Sequence, residues 1–309
     1  MSFAGKIKEE LLEQTGKARH CQIAELAALF SLCGQVIMEE KGTYCIKFAT
    51  ENLTVAKKCY MLIKRVFHTI PDISVSGHHS YRVYLLEETV VEDFIRAIRV
   101  MDGALLVSDC LIERQCCKRA FLRGIFLMTG SITDPHSGYH LELVVGNLSK
   151  ATRIQEIMGI FGLEAKIIER KKNYITYLKE GEAIVDFLNV IGAHVALMEF
   201  ENVRILKEMR NSINRQVNCE TANIKKTVSA ASRQTADIQY IHDTIGFGNL
   251  SENLSQIAKL RLDNPEMALK ELGEMLDPPI GKSGVNHRLR KLSEFAERLR
   301  KKGAGGQND

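Results

Sequence analysis

The chain has 309 residues, 45% of them hydrophobic, a formal net charge of +4 and eight cysteines. That length suits about two domains of roughly 100–200 residues each, the hydrophobic content excludes a disordered chain, and no apolar run approaches the ~18 residues of a membrane span. Cys21, Cys33, Cys45, Cys59, Cys110, Cys116, Cys117 and Cys219 form no Cys-x-x-Cys pair; they read as free thiols of a reducing cytosol, not as a disulfide framework or a zinc site, so no metal and no other cofactor is expected.

The first thirteen residues carry Lys6, Lys8, Glu9, Glu10 and Glu13 among apolar positions, which predicts an amphipathic helix and not a signal peptide. A duplication follows. The run from Leu26 to Gly34 matches that from Leu122 to Gly130, Tyr44–Phe48 matches Tyr139–Leu143, Asn52-Leu53 matches Asn147-Leu148, Tyr81–Leu85 matches Tyr174–Leu178, and Asp93-Phe94-Ile95 matches Asp186-Phe187-Leu188. Each copy reads helix, two strands, helix, two strands, helix: Tyr44, Ile46 and Phe48 alternate as in a half-buried strand, and Val55, Ala56, Cys59, Leu62, Ile63 and Val66 recur at helical spacing. A period of about 95 residues is too long for a solenoid and predicts two fused α+β halves. Ala27, Ala28 and Gly124 are small enough for two helices to approach closely, and Gly34 and Gly130 are expected to end those helices with positive φ.

The pattern Leu-Ala-x-Leu-x-x-x-x-Gly, twice within αββαββα units, resembles the LAGLIDADG homing endonucleases. In that family the acid before the final glycine of each motif holds a divalent metal beside the scissile phosphate. Here those positions are Cys33 and Thr129, and two residues earlier stand Ser31 and Leu127. None is a carboxylate, so the resemblance implies a scaffold without the nuclease chemistry, one that touches DNA or binds protein. Arg114, Lys118, Arg119 and Arg123 precede the second motif; a solvated helix face is the default reading, and Arg119 and Arg123 are kept beside it as candidate phosphate contacts.

Residues 197–218 read as a charged helix with Val203, Leu206, Met209 and Ile213 as its apolar stripe. The amide-rich stretch after it reads as a junction between domains, with Arg215, Lys225 and Lys226 as further candidate phosphate contacts. Helices are then predicted over 230–245, over 255–262, where Asn264-Pro265 stops the pattern, and over 267–276. Asp277-Pro278-Pro279 breaks the chain, and Ser283 is expected to cap a last helix from Gly284 to about Leu299. Val285, Leu289, Leu292 and Phe295 form its buried face; Asn286, His287, Arg288, Arg290 and Lys291 face outward. From Lys282 to Lys302 eight basic residues oppose two acids. Two short helices and a turn, the second helix polar and basic, fit a helix-turn-helix: Asn pairs with adenine and Arg with guanine, while Lys282 and Ser283 suit phosphate at the helix start.

The runs Leu272–Leu276, Gly281–Leu292 and Asn214–Asn223 resemble the WhiA family of bacterial regulators over roughly residues 4–302. The resemblance implies an α+β fold: a duplicated LAGLIDADG-like domain over 1–205 (halves about 1–100 and 110–200), a linker over 206–220, an all-α helix-turn-helix domain over 221–302 similar to sigma factor region 4, and a disordered tail over 303–309. It also implies transcription control linked to sporulation, cell division and chromosome segregation, in the cytoplasm at the nucleoid. Promoter DNA is the implied partner, with RNA polymerase or another regulatory protein as a second.

Three readings stand side by side. A sequence-specific transcription regulator accounts for the basic C-terminal helix. A protein-interaction module with secondary DNA contact would show apolar patches on the duplicated domain. An active endonuclease is opposed by the residues at 33 and 129. No phosphate loop or dinucleotide fingerprint is present. His78-His79 reads as an exposed loop pair, and Pro135 and Gly138 put His136 and His140 in a turn and strand and not on one helix.

Overall fold

A computed structural model describes residues 2–38, 43–77, 80–99 and 107–304, apart from the side chains of 303 and 304. His78-His79 and the tail from 305 onward lie outside them; Gly303 and Ala304 of the expected tail are helical. The chain divides into two compact units, Met1–Glu208 and Met209–Asp309. Among the described residues no helix is long and apolar enough to cross a membrane.

The first unit opens with α1 (Phe3–Glu13), which buries Phe3, Ile7 and Leu11 at i, i+4, i+8. The duplication then appears as two equivalent runs: α2 (Arg19–Cys33), β1 (Gly34–Met38), β2 (Tyr44–Thr50), α3 (Leu53–Phe67), β3 (Asp72–Ser76), β4 (Ser80–Leu85), α4 (Glu88–Ile98); and α5 (Gln115–Thr129), β5 (Gly130–Ile132), β6 (Leu141–Val145), α6 (Leu148–Ile160), β7 (Lys166–Arg170), β8 (Asn173–Leu178), α7 (Gly181–Ile191). The sheets are antiparallel with matching orders, β1-β2-β4-β3 and β5-β6-β8-β7. Their registers confirm the sequence alignment residue by residue. Gly34 pairs with Phe48 and Gly130 with Leu143; Ile46 pairs with Leu85 and Leu141 with Leu178. Even the caps repeat: the Asn52 side chain accepts from Thr54 N, and that of Asn147 from Lys150 N, both at 2.9 Å.

The expectation for Gly34 and Gly130 is corrected. Their φ values are −91° and −74°, well outside the left-handed region. What they need is space. A Cβ on Gly34 would stand 2.0 Å from the Phe30 ring and one on Gly130 2.3 Å from the Phe126 ring. Each glycine opens a strand, and the helix's last phenylalanine folds over it into the core, where Phe30 meets Phe48 and Phe94 edge-on at 5.5 and 5.1 Å.

The small residues at the α2–α5 contact act as expected. A Cβ on Gly124 would lie 2.7 Å from the Glu25 carbonyl oxygen and 2.8 Å from the Ala28 Cβ. Beside this contact is a buried ion cluster. Glu25 Oε1 stands 3.1 Å from Lys58 Nζ and 3.2 Å from Arg123 Nε. Lys58 also donates to the Leu11 carbonyl at 2.8 Å and to that of Gln14, and Arg123 Nη1 donates to the Ile191 carbonyl at 3.0 Å. Burial pulls the Lys58 pKa below its usual value despite the Glu25 carboxylate.

Helix α8 (His194–Ile245) runs 52 residues and passes the boundary between the units. Residues 206–220, expected as a linker, are helical within it, and the helix expected at 230–245 is its last part. Of the expected apolar stripe only Val203 is buried; Leu206, Met209 and Ile213 are exposed. In the second unit α8 is followed by α9 (Glu252–Asp263), α10 (Leu269–Glu274) and α11 (Lys282–Ala304). They enclose a core of Ile238, Ile241, Ile257, Ala258, Leu272, Leu276, Val285, Leu289, Leu292 and Ala296.

Candidate nucleic-acid interface

The approach of α10 to α11 is set by Gly273. The intervening segment turns back so that Ile280 N donates to the Gly273 carbonyl at 3.0 Å. The carbonyl oxygen of Ile280 would lie 2.1 Å from a Cβ on Gly273, and Val285 Cγ2 3.1 Å from it. Any larger residue at 273 would push the turn away from α10. Arg261, 3% exposed, fastens the other side: Nη2 donates to Gln234 Oε1 at 2.9 Å and Nη1 to the Met267 carbonyl at 2.6 Å. Burial lowers its pKa, and a guanidinium is the cation that bears such burial while remaining charged.

Helix α11 buries Val285, Leu289, Leu292 and Ala296, a stripe spaced +4, +3, +4. The opposite face is exposed and carries Ser283, His287, Arg290 and Lys291, with Lys282 and Asn286 on its margins. Among the described residues, no hydrogen bond or ion pair engages the side chains of Lys282, Asn286, His287, Arg288 or Lys291. Arg290 makes only an exposed pair with Glu294, at 3.4 Å, one turn along the same helix. Two expectations shift. Arg288 is half-buried, because it stands three residues after Val285 and four before Leu292 and so borders the buried stripe. Ser283 lies in the first turn and does not cap it: α11 already begins at Lys282, which puts Gly281 at the cap position. Farther along, Arg300 is committed to the buried Asp237 at 2.8 Å, and Arg298 lies over the Phe295 ring.

The candidate phosphate contacts separate. Arg119, Arg215, Lys225 and Lys226 are exposed, Arg119 over the Phe161 ring at 5.5 Å. Arg123 is corrected: it is 9% exposed and held by Glu25 and Ile191, so its charge is spent inside the unit and not offered to a phosphate.

At the positions where the resembling nucleases carry their metal-holding acids, both side chains turn back onto their own helices. Cys33 Sγ donates to the Leu29 carbonyl at 3.2 Å and Thr129 Oγ1 to the Ile125 carbonyl at 3.0 Å. The nearest acid upstream in α2, Glu25, is fully buried and engaged by Lys58 and Arg123. Sequence reading missed Glu25, Lys58, Arg261 and Gln234 because a charged or amide side chain inside a helix carries no mark of burial. A weak signal was present: Glu25 falls in a run from Ala24 to Phe30 in which every other residue is apolar and the whole run is buried.

Three family profiles match the chain: the WhiA N-terminal LAGLIDADG-like domain over residues 19–100, the WhiA LAGLIDADG-like domain over 118–210, and the WhiA C-terminal HTH domain over 213–296. A protein of Lachnoclostridium phytofermentans named "Probable cell division protein WhiA" is 50% identical over 312 residues, covering 97% of this chain and 100% of that protein. One of the same name from a Thermoanaerobacter species is 42% identical, covering 98% and 99%. Among solved structures, the full-length "DUF199/WhiA from Thermatoga maritima" superposes with a TM-score of 0.60 at 26% identity, covering 96% of this chain and 99% of that one.

Proposed function

The chain belongs to the WhiA family, and from that premise we propose that it is a DNA-binding regulator of cell division whose C-terminal helix-turn-helix makes the contact. The finer reading is a sequence-specific transcription regulator at promoters, working at the nucleoid, with the family's link to sporulation. The observation that carries it is the unengaged row on α11. Among the described residues, Lys282, Asn286, His287 and Lys291 have no partner, and Arg290 holds only a surface pair of the kind worth about 0–1 kcal/mol. Such side chains are available to phosphates and base edges. In this reading the LAGLIDADG-like unit does not cut: Cys33 and Thr129 are poor ligands for a hard divalent cation, which takes carboxylate and carbonyl oxygens.

The test is fluorescence anisotropy of the full chain on promoter fragments from its own genome, titrated with salt, with a magnesium-containing incubation run on a gel. Promoter-selective binding with a steep salt slope and intact DNA supports the reading. Equal binding to all fragments removes sequence specificity, and magnesium-dependent cleavage restores the enzyme.

A second reading rests on the exposed Met38, Ile73, Val75 and Ile168 on the strands of the duplicated unit. In it a protein partner, RNA polymerase or another regulator, is the main contact and DNA is secondary. Promoter binding that survives Arg290→Ala and Lys282→Ala together, with regulation lost on Ile73→Glu, would favour it.

A further inference from the structure

The alignment of the two halves sets His20 opposite Cys116 and Cys21 opposite Cys117. These pairs occupy the second and third residues of α2 and α5, the two helices that cross at Gly124. The fold brings all four together: one ligand atom from each lies within 4.8 Å of every other. His20 Nδ1 is 3.1 Å from Cys117 Sγ and 3.4 Å from Cys21 Sγ. A tetrahedral zinc with Zn–S near 2.3 Å and Zn–N near 2.0–2.1 Å needs its ligands roughly 3.5 Å apart, so only small side-chain adjustments are required.

We propose that His20, Cys21, Cys116 and Cys117 form a Cys3His zinc site that clips the N-terminal ends of the two pseudo-symmetric helices together. Three thiolates and an imidazole suit zinc in preference to magnesium or calcium, which take oxygen ligands. Cys21 and Cys117 are buried, whereas Cys116 is exposed and His20 half-buried, so the site has both a shielded floor and an open side for metal entry. The loop before α2 supports the floor: Gln22 donates to the Gly16 carbonyl at 2.7 Å, and Gly16 packs on the Cys21 Cβ so tightly that a Cβ of its own would be 2.7 Å away. Binding releases the three thiol protons and leaves a zinc–thiolate group of charge −1. Arg114, whose Nη1 is 3.5 Å from His20 Nε2, is exposed and must swing from that nitrogen once the nitrogen carries the imidazole proton; its positive charge stays beside the anionic centre.

The experiment uses the full-length chain, reduced and stripped of metal, titrated with cobalt(II) as a spectroscopic stand-in and then with zinc. The expected result is saturation at one equivalent, with visible d–d bands of tetrahedral cobalt and thiolate-to-cobalt charge transfer in the near ultraviolet, both bleached by zinc. Cys116→Ser, at an exposed position, should weaken binding at least about tenfold with an unchanged circular dichroism spectrum. Cys219→Ser should leave binding intact. No charge-transfer band in the wild-type protein, a band that persists in Cys116→Ser with undiminished affinity, or one lost in Cys219→Ser would each overturn the assignment.

Discussion

Gly273 and Ile280 hold each other across the turn of the helix-turn-helix: the amide of Ile280 donates to the Gly273 carbonyl, while the Ile280 carbonyl closes over the Gly273 Cα where a side chain would begin. Gly273→Ala therefore opposes two effects. Helix propensity favours alanine by about 1 kcal/mol, but overpacking against a backbone oxygen costs about 1–3 kcal/mol. Net destabilisation is expected, read as a lower urea midpoint together with weaker promoter binding. A variant more stable than the parent would show that the turn yields freely.

Gly124→Ala tests the helix crossing of the first unit. The new methyl would meet the Glu25 carbonyl oxygen and the Ala28 Cβ, and a loss of about 1–3 kcal/mol is expected. Adding Ala28→Gly should restore only part of it, because the carbonyl cannot be trimmed away. Complete rescue in chemical denaturation would assign the whole clash to Ala28.

Glu25→Ala leaves Lys58 and Arg123 facing each other without their carboxylate and should cost about 3–5 kcal/mol. An unfolding free energy within 1 kcal/mol of the parent would mean that the backbone carbonyls around Lys58 suffice alone.

Lys58 carries a pH signature. Its folded pKa is below 10.5, so the unfolded chain binds the proton more readily. This group's contribution to stability is complete above about 10.5 and is lost as pH falls to the folded value. The stability difference between the parent and Lys58→Met should therefore grow as pH rises through that window. A flat difference in pH-resolved denaturation would contradict it.

On DNA, Arg290→Ala should weaken the specific site by about 1–3 kcal/mol if it reads a base, with little change on unrelated sequence. Lys282→Ala should weaken all sequences and lower the salt slope by about one. Arg288 borders the buried stripe, so a loss on Arg288→Ala must be checked against stability. Unchanged affinity in both Arg288→Ala and Arg290→Ala would remove base reading from this helix.

Much of this was legible in the sequence because it is periodic. The duplication survives in strand register down to the pairing of Gly34 with Phe48 and Gly130 with Leu143, and spacing gave the core stripe of α11 at Val285, Leu289 and Leu292, though the fourth place is taken by Ala296 while the expected Phe295 is only half-buried. What failed was local chemistry set by distant neighbours. The glycines at 34 and 130 looked conformational but are steric, since the ring that fills their space is four residues back and inside the core. Arg123 looked like a surface cation because its carboxylate is on another helix. The cysteines looked scattered because spacing is read along one chain segment, whereas His20-Cys21 and Cys116-Cys117 meet only once the two halves pack. The stretch 206–220 does contain the boundary between the units; what its composition did not show is that α8 continues as helix past 218 without a break.

The Glu25 cluster also breaks the symmetry of the duplication. The second half has Phe121 where the first has Glu25, and Ala27 stands opposite Arg123; the counterpart of Lys58 is Arg153, which pairs with Asp109 and Glu156 in a more exposed setting. Two second halves brought together would enclose two arginines and no acid, and two first halves would lack the arginine that completes each carboxylate. A chain assembled from ancestral copies of one piece has thus become a lock whose two parts fit only each other, and pairing of like halves is disfavoured because neither combination rebuilds the Glu25–Lys58–Arg123 cluster.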